Sequence, residues 1–235
     1  MIHVPKLRAH NISISFDGYA AGPSQDLEHP LGVDGERLHE WALATRTLRR
    51  MLGIDSGDMD PGDMDPGDMD LGDRDLDDEF AARGNDGIGA TIIGRNMFGP
   101  VRGPWGSDEW TGWWGDEPPY HHPVFVLTHH PRPPIVMLGG TTFHFVTDGI
   151  ESALQQAFEA AGGQDVRLGG GADTIQQYLR AGLLDEIHVV VVPVLLGSGE
   201  RLFDRLDGGP VGFECAEFVS SPAVVHARFV RVDPA

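Results

Sequence analysis

The chain has 235 residues and a formal net charge of −19. That length suits one α/β domain or two small ones, and the charge argues against nucleic acid or an anionic membrane surface as partner. A single cysteine, Cys215, excludes an intramolecular disulfide and a cysteine-based metal cluster.

No apolar run approaches bilayer length, and the opening MIHVPKLRAH lacks a signal-peptide pattern. A cytoplasmic protein is expected. Residues 10–15 alternate apolar and polar side chains and predict a strand, followed by the glycine-containing loop SFDGYAAGP. Residues 36–51 carry helical spacing through Leu38, Trp41, Leu48 and Met51. A tandem repeat follows: GDMDP at 57–61 and 62–66, GDMDL at 67–71 and GDRDL at 72–76. Residues 55–79 hold eleven Asp, one Glu and one Arg, so −11 of the net charge sits in this stretch. Self-repelling carboxylates and few core residues predict a disordered or loosely ordered insertion over 53–83. Alternating aspartates can converge on calcium, but no segment completes the EF-hand pattern with its central glycine and closing glutamate.

Beyond the insertion, residues 89–94 (GATIIG) predict a buried strand and 95–98 a helix start. The loop 99–123 contains Trp105, Trp110, Trp113 and Trp114; it suits a lid over an aromatic substrate, core packing or a dimer surface. A strand is expected at 124–128 and short extended pieces at 135–138 and 142–146. Asp148 is placed to cap a helix over 150–161. A strand at 166–168, a helix at 173–181 and a strand at 186–195 make a βαβ unit, and 213–219 with 224–232 read as a hairpin. The whole predicts one α/β domain over 1–235 with a mostly parallel sheet and an antiparallel C-terminal hairpin.

The densest chemistry lies in residues 169–203, GGGADTIQQYLRAGLLDEIHVVVVPVLLGSGERLF. Glycines where a strand enters a helix let the backbone approach an anion, and the helix start supplies free N–H groups and a positive dipole end. The spacing is not that of the G-x-G-x-x-G fingerprint, because Thr174 stands at its last position, and no G-x-x-x-x-G-K-[ST] loop occurs. The phosphate cradle belongs to another nucleotide-binding architecture.

The order of SFDGYAAG (15–22), TIIGRNMF (91–98), FVLTHHP (125–131) and the long block 167–203 resembles the RibD C-terminal-domain family of the dihydrofolate-reductase-like fold. The similarity covers nearly all of the chain except 53–83. It implies a three-layer fold around a central sheet of about eight strands, with NADPH across the strands' carboxyl ends. It assigns Gly94, Arg95, Asn96 and Met97 to the cofactor phosphates, Arg95 offering a guanidinium fork to the 2′-phosphate. Leu127, Thr128 and His129 match the adenosine side, and Ala20 and Ala21 the nicotinamide side. Gly169, Gly170, Gly171, Ala172, Asp173 and Thr174 match the pyrophosphate cradle. There the resemblance implies a cis bond at Gly169–Gly170, and Asp173 is expected to turn away from the pyrophosphate and cap the helix. A homodimer is also implied. No metal is expected: the pairs His121-His122 and His129-His130 have no carboxylate or cysteine partner at ligand spacing.

With NADPH bound the chemistry is hydride transfer to a small heterocyclic or carbonyl substrate. Folate reductases carry a carboxylate on the first helix; here Glu36 and Glu40 flank Arg37, which occupies about that place, and the departure speaks against folate reduction. The catalytic candidates are Glu36 and Asp17, the latter equally suited to shaping the turn before Gly18. The deaminase zinc motif that accompanies the riboflavin-pathway reductase is absent from the sequence, which leaves the substrate open. Two other readings stand: an NADP(H)-binding protein without turnover, and a calcium-responsive acidic interaction protein.

Overall fold

The computed structural model describes residues 3–53, 71–99, 103–106, 109–206 and 212–232. Strand β1 (Leu7–Ser15) leads into the short β2 (Tyr19–Ala21), a 3-10 turn (Gly35–His39), and helices α1 (Glu40–Leu43) and α2 (Arg46–Met51). Helix α3 (Leu71–Arg83), β3 (Ile88–Gly94), α4 (Arg95–Phe98), β4 (Pro123–Leu127), β5 (Ile135–Val136) and β6 (Thr142–Val146) follow. Helix α5 (Ile150–Ala161), β7 (Asp165–Gly170), α6 (Ala172–Arg180), β8 (Glu186–Val192), β9 (Glu200–Arg201), β10 (Phe213–Ser220) and β11 (Val225–Arg231) complete the order.

Nine strands form one sheet in the order β10-β11-β8-β1-β7-β3-β4-β6-β5. Strand β1 runs parallel to both β7 and β8, and β3 parallel to β7 and β4. The antiparallel pairs are at the edges, β11 with β8 and β10 on one side and β5 with β6 on the other. The central strands therefore release their carboxyl ends on one side, where a crevice opens.

Neighbouring residues of each strand feed opposite faces, as a pleat demands. Ile92 and Phe125 join a core with Ala153, Ala157 and Ala161 of α5 and Ile175, Tyr178 and Leu179 of α6. Ile93, Val124 and Val126 join Phe98 and Phe143 on the other face, where Trp105, Trp110 and Trp114 pack against them. The aromatic loop is thus chiefly a core layer. Its register is pinned by indole N–H donors: Trp105 Nε1 to His130 O at 2.9 Å and Trp110 Nε1 to Phe98 O at 2.8 Å. Leu38 and Trp41 meet Val190 and Val192 on that same second face.

Four expectations need correcting. The helical spacing over 36–51 is divided into a 3-10 turn, α1 and α2, because Thr45 is extended and its hydroxyl accepts from Leu48 N at 3.2 Å. Asp148 does not cap α5; Gly149 occupies that position, and no side chain caps the helix. The insertion ends earlier than residue 83: 71–83 form a helix, with Phe80 and Ala81 at 2% and 5% exposure. The cis peptide is Gly170–Gly171, one bond later than expected, since β7 continues through Gly170 before the chain turns. The GDMDP repeats, with the calcium reading placed on them, lie outside the described residues.

Helix α3 sits over a polar chain set into the sheet. The Asp77 carboxylate accepts from His226 Nε2 at 2.8 Å, and the His226 and His188 rings meet at 3.1 Å. Since the carboxylate needs a hydrogen on His226 Nε2, His226 Nδ1 accepts from His188 Nε2. His188 Nδ1 is then left to accept from the Asn11 backbone N–H at 3.2 Å. Asn11 is left-handed, with φ 58°, inside a bulge of β1 between Ala9 and Ile12. The histidine chain holds that bulge in place.

Candidate functional site

The carboxyl ends of β3, β4 and β7, with β1, β2 and the 3-10 turn, surround one cavity of 920 Å³. All fifteen residues assigned to the cofactor line it: Ala20 and Ala21, Gly94 to Met97, Leu127 to His129, and Gly169 to Thr174. This is the size range of sites for drug-sized and cofactor ligands.

Two glycine turns make the cradle. A Cβ at Gly94 would strike Thr174 Oγ1, so glycine there lets the end of β3 close onto the start of α6. A Cβ at Gly171 would meet nothing within 4 Å, so that position faces open cavity. Gly171 is also the N-cap of α6, with no side chain bonded to the helix start. A nine-residue helix thus presents uncapped N–H groups and its positive end to the cavity beside a bare backbone. These residues fit a pyrophosphate. Asp173 does not cap α6, being its second residue; its carboxylate accepts from Gln177 Nε2 at 2.8 Å and pairs with Arg205 at 3.8 Å. That partner offsets its charge at the cavity wall.

Arg95 opens α4 and lies flat on Trp105, its guanidinium carbon 3.2 Å from the ring centroid. Arg132 approaches the same ring at 5.1 Å. Burial, and then the Arg132 charge, lowers the Arg95 pKa to about 10. Its Nε is buried without a hydrogen-bond partner. Two guanidiniums thus lie against one indole: Arg95 lines the cavity, whereas Arg132 is nearly buried and donates to Trp110 O at 2.7 Å.

The two catalytic candidates fall outside the cavity lining. Asp17 Oδ1 accepts from Ser15 Oγ at 2.6 Å and Leu196 N at 3.1 Å, and Oδ2 from Gly197 N at 2.7 Å. The Ser15 hydroxyl and the two backbone N–H groups lower its pKa to about 2. This carboxylate pins the loop after β8 to the end of β1 and is a poor proton source. Asp17→Asn is expected to lower the melting temperature and leave cofactor affinity unchanged. The carboxylate's contribution is present above its ordinary pKa of 3.8 and fades as pH falls toward 2, so the variant's melting curve should vary less with pH in that window. A drop in NADPH affinity by calorimetry would restore Asp17 to the site. Glu36 is exposed on the 3-10 turn, whose buried residues are Gly35 and Leu38.

Ser13 and His39 are among the lining residues that escaped the sequence reading. Ser13, on β1, is 4% exposed, and its hydroxyl accepts from Trp41 Nε1 at 2.9 Å. His39 ends the 3-10 turn, and burial lowers its pKa to about 4, so the ring is neutral near pH 7. The available signal was a histidine between Leu38 and Trp41, in the segment that also carries Glu36 and Glu40.

The family model for the RibD C-terminal domain matches residues 6–226. A putative riboflavin biosynthesis protein from Shewanella sp. PV-4 is similar in structure, with a TM-score of 0.57 and 21% identity over 97% of this chain and 99% of its own. RibD from Acinetobacter baumannii gives a TM-score of 0.51 at 14% identity, covering 98% of this chain. A deaminase/5-amino-6-(5-phosphoribosylamino)uracil reductase from Thermotoga maritima gives 0.50 at 13% identity over 97%. The chain spans 59% and 57% of the length of those last two. No curated protein sequence matches. The sheet is mostly parallel, with an antiparallel C-terminal pair. The chain belongs to the RibD C-terminal domain family.

Proposed function

We propose that this protein binds NADPH and uses it to reduce a small heterocyclic or carbonyl substrate. The observation that carries the reading is the convergence of the uncapped Gly171 helix start and the Arg95 guanidinium on one cavity. When bound, NADPH supplies a hydride from the nicotinamide. The chain's own part is to seat it. The α6 N-terminus receives the pyrophosphate, Arg95 the 2′-phosphate, Thr128 and His129 the adenosine side, and the small Ala20 and Ala21 admit the nicotinamide. The wall beyond, with Trp113 and Trp114, excludes water from the substrate.

Calorimetric titration with NADPH and NADH tests the reading. Arg95→Ala is expected to weaken NADPH by about tenfold to a hundredfold, about 1.4–2.8 kcal/mol, and NADH hardly at all. Equal loss for both cofactors would remove the 2′-phosphate from Arg95, and no binding of either by folded protein would end the reductase reading.

A second reading, a cofactor-binding protein without turnover, is favoured by one observation: neither candidate carboxylate lines the cavity. Saturable NADPH binding without oxidation across a broad panel of heterocycles and carbonyl compounds would select it. A cytoplasmic homodimer completes the proposal; a purely monomeric species in sedimentation would count against its quaternary part.

A further inference from the structure

We infer that Arg167 and Tyr120 form a second ligand site, apart from the cavity, that takes the carboxylate group of a small acid. The site does not depend on the reductase reading, and neither side chain lines the cavity.

The pairing register puts Arg167 of β7 between Arg8 of β1 and Thr91 of β3, and Arg8 beside Glu186 of β8. Asp165, two residues earlier on β7, faces the same way as Arg167. Both carboxylates on this face are already matched. Asp165 lies 3.0 Å from Arg8 Nε and 2.8 Å from His3 Nε2. Glu186 lies 3.1 Å from Arg228 Nη1 and 2.7 Å from His10 Nε2. Arg167 is the cation left over. Burial lowers its pKa, the Tyr120 phenol raises it and the Arg8 charge lowers it, and it pairs with no carboxylate among the described residues. A half-buried guanidinium without a counter-ion is costly, and an acid that supplies one is bound in proportion.

The vacant part of the guanidinium has a definite shape. Arg167 Nη1 donates to Asn85 Oδ1 at 2.6 Å, and the Asn85 amide is fixed in turn by its Nδ2 bond to Ala81 O at 3.0 Å. Arg167 Nε is buried with no acceptor, and Nη2 has none among the described residues. The Nε–Nη2 edge is therefore the open one, and two parallel N–H donors fit the two oxygens of a carboxylate. Tyr120 stands beside it, its ring edge-on to Trp114 with centroids 5.0 Å apart. Burial raises the Tyr120 pKa, so its O–H stays protonated, and that donor has no acceptor among the described residues. His122 bonds Thr91 Oγ1 at 2.7 Å; burial, then the charges of Arg167 and His121, lower its pKa to about 4, so it adds no charge near pH 7. Three donors without acceptors, around one unmatched positive charge, select an anion, and the planar fork selects a carboxylate over a tetrahedral oxyanion.

The test is heteronuclear NMR of the full-length protein carrying isotopically labelled arginine. The Arg167 Nε–H signal is assigned as the one that Arg167→Met deletes, or Arg167→Lys if the methionine variant does not fold. Acetate, titrated against chloride at matched ionic strength, is expected to move that signal saturably, and phosphate to bind at least about tenfold more weakly. Because the cradle also attracts anions, this signal decides rather than a melting temperature. Tyr120→Phe should keep the fold and weaken acetate about tenfold, the share of one hydrogen bond to a charged acceptor. A signal that does not move, or moves equally in chloride, would overturn the site. Tighter binding of phosphate would overturn the carboxylate assignment, and undiminished acetate affinity in Tyr120→Phe would overturn the site as the pair of side chains defines it.

Discussion

Gly171→Asp is expected to abolish NADPH binding while leaving the fold intact or slightly more stable. The position is an N-cap with φ −72° and ψ −170°, extended backbone open to any residue, and an added Cβ meets nothing within 4 Å. Aspartate is a preferred N-cap, and its carboxylate accepts from the free N–H groups of the first turn, for a gain of a few tenths of a kcal/mol over glycine. Those are the donors a pyrophosphate needs, and the carboxylate adds like-charge repulsion. A loss of at least about a hundredfold, about 2.8 kcal/mol, should follow. Gly171→Ala adds only a methyl group and should lose less. Calorimetry and thermal melting, run together, separate binding from folding. An undiminished NADPH affinity in the aspartate variant would place the pyrophosphate elsewhere.

Phe80→Ala should be the most destabilising single change, by about 3–5 kcal/mol. Phe80 is 2% exposed and lies against His226, with centroids 4.1 Å apart and planes at 7°, and against His188 at 4.8 Å. The Arg83 guanidinium covers its ring at 4.1 Å. Removing the ring leaves a void beside the Asp77–His226–His188 chain and weakens the seat of α3. Phe80→Leu keeps most of the volume and should cost less than about 1.5 kcal/mol. Urea denaturation measures both; a loss below about 1 kcal/mol for the alanine variant would mean that α3 contributes little to the fold. The same layer predicts acid sensitivity. Burial, then the charges of His10, His226, Arg83 and Arg228, lower the His188 pKa from 6.5 to about 2. The unfolded chain therefore binds a proton that the native state refuses, and stability falls as pH drops below about 6.5 toward 2.

Much of the cavity lining was legible before any coordinates. Glycine at 170, with φ 115°, answers a local backbone need, and local geometry is written in adjacent residues. The apolar runs of β3, β4 and β8 and the helical patterns of α5 and α6 likewise announce buried elements. Short-range competition was harder to read. The break at Thr45 depends on whether a hydroxyl folds back on its own helix, and the cap at Gly149 on a φ of 93° that an aspartate one residue earlier does not reveal.

Long-range juxtaposition was not readable at all. In sequence Asp17 suited the site and the turn before Gly18 equally; only the fold brings the backbone at Leu196 and Gly197 to its carboxylate. The helix at 71–83 looked like the tail of an acidic insertion, because nothing nearby in sequence shows that Phe80 has His188 and His226 to lie on. By itself the sequence determined the βαβ order and the family, since each depends on neighbours a few positions apart. Only the tertiary structure decided that Arg95 shares an indole with Arg132, that Asp17 is a structural group, and that Ser13 and His39 face the cavity. Those facts depend on which distant segments the sheet brings together, and on which polar groups the packing leaves unpaired.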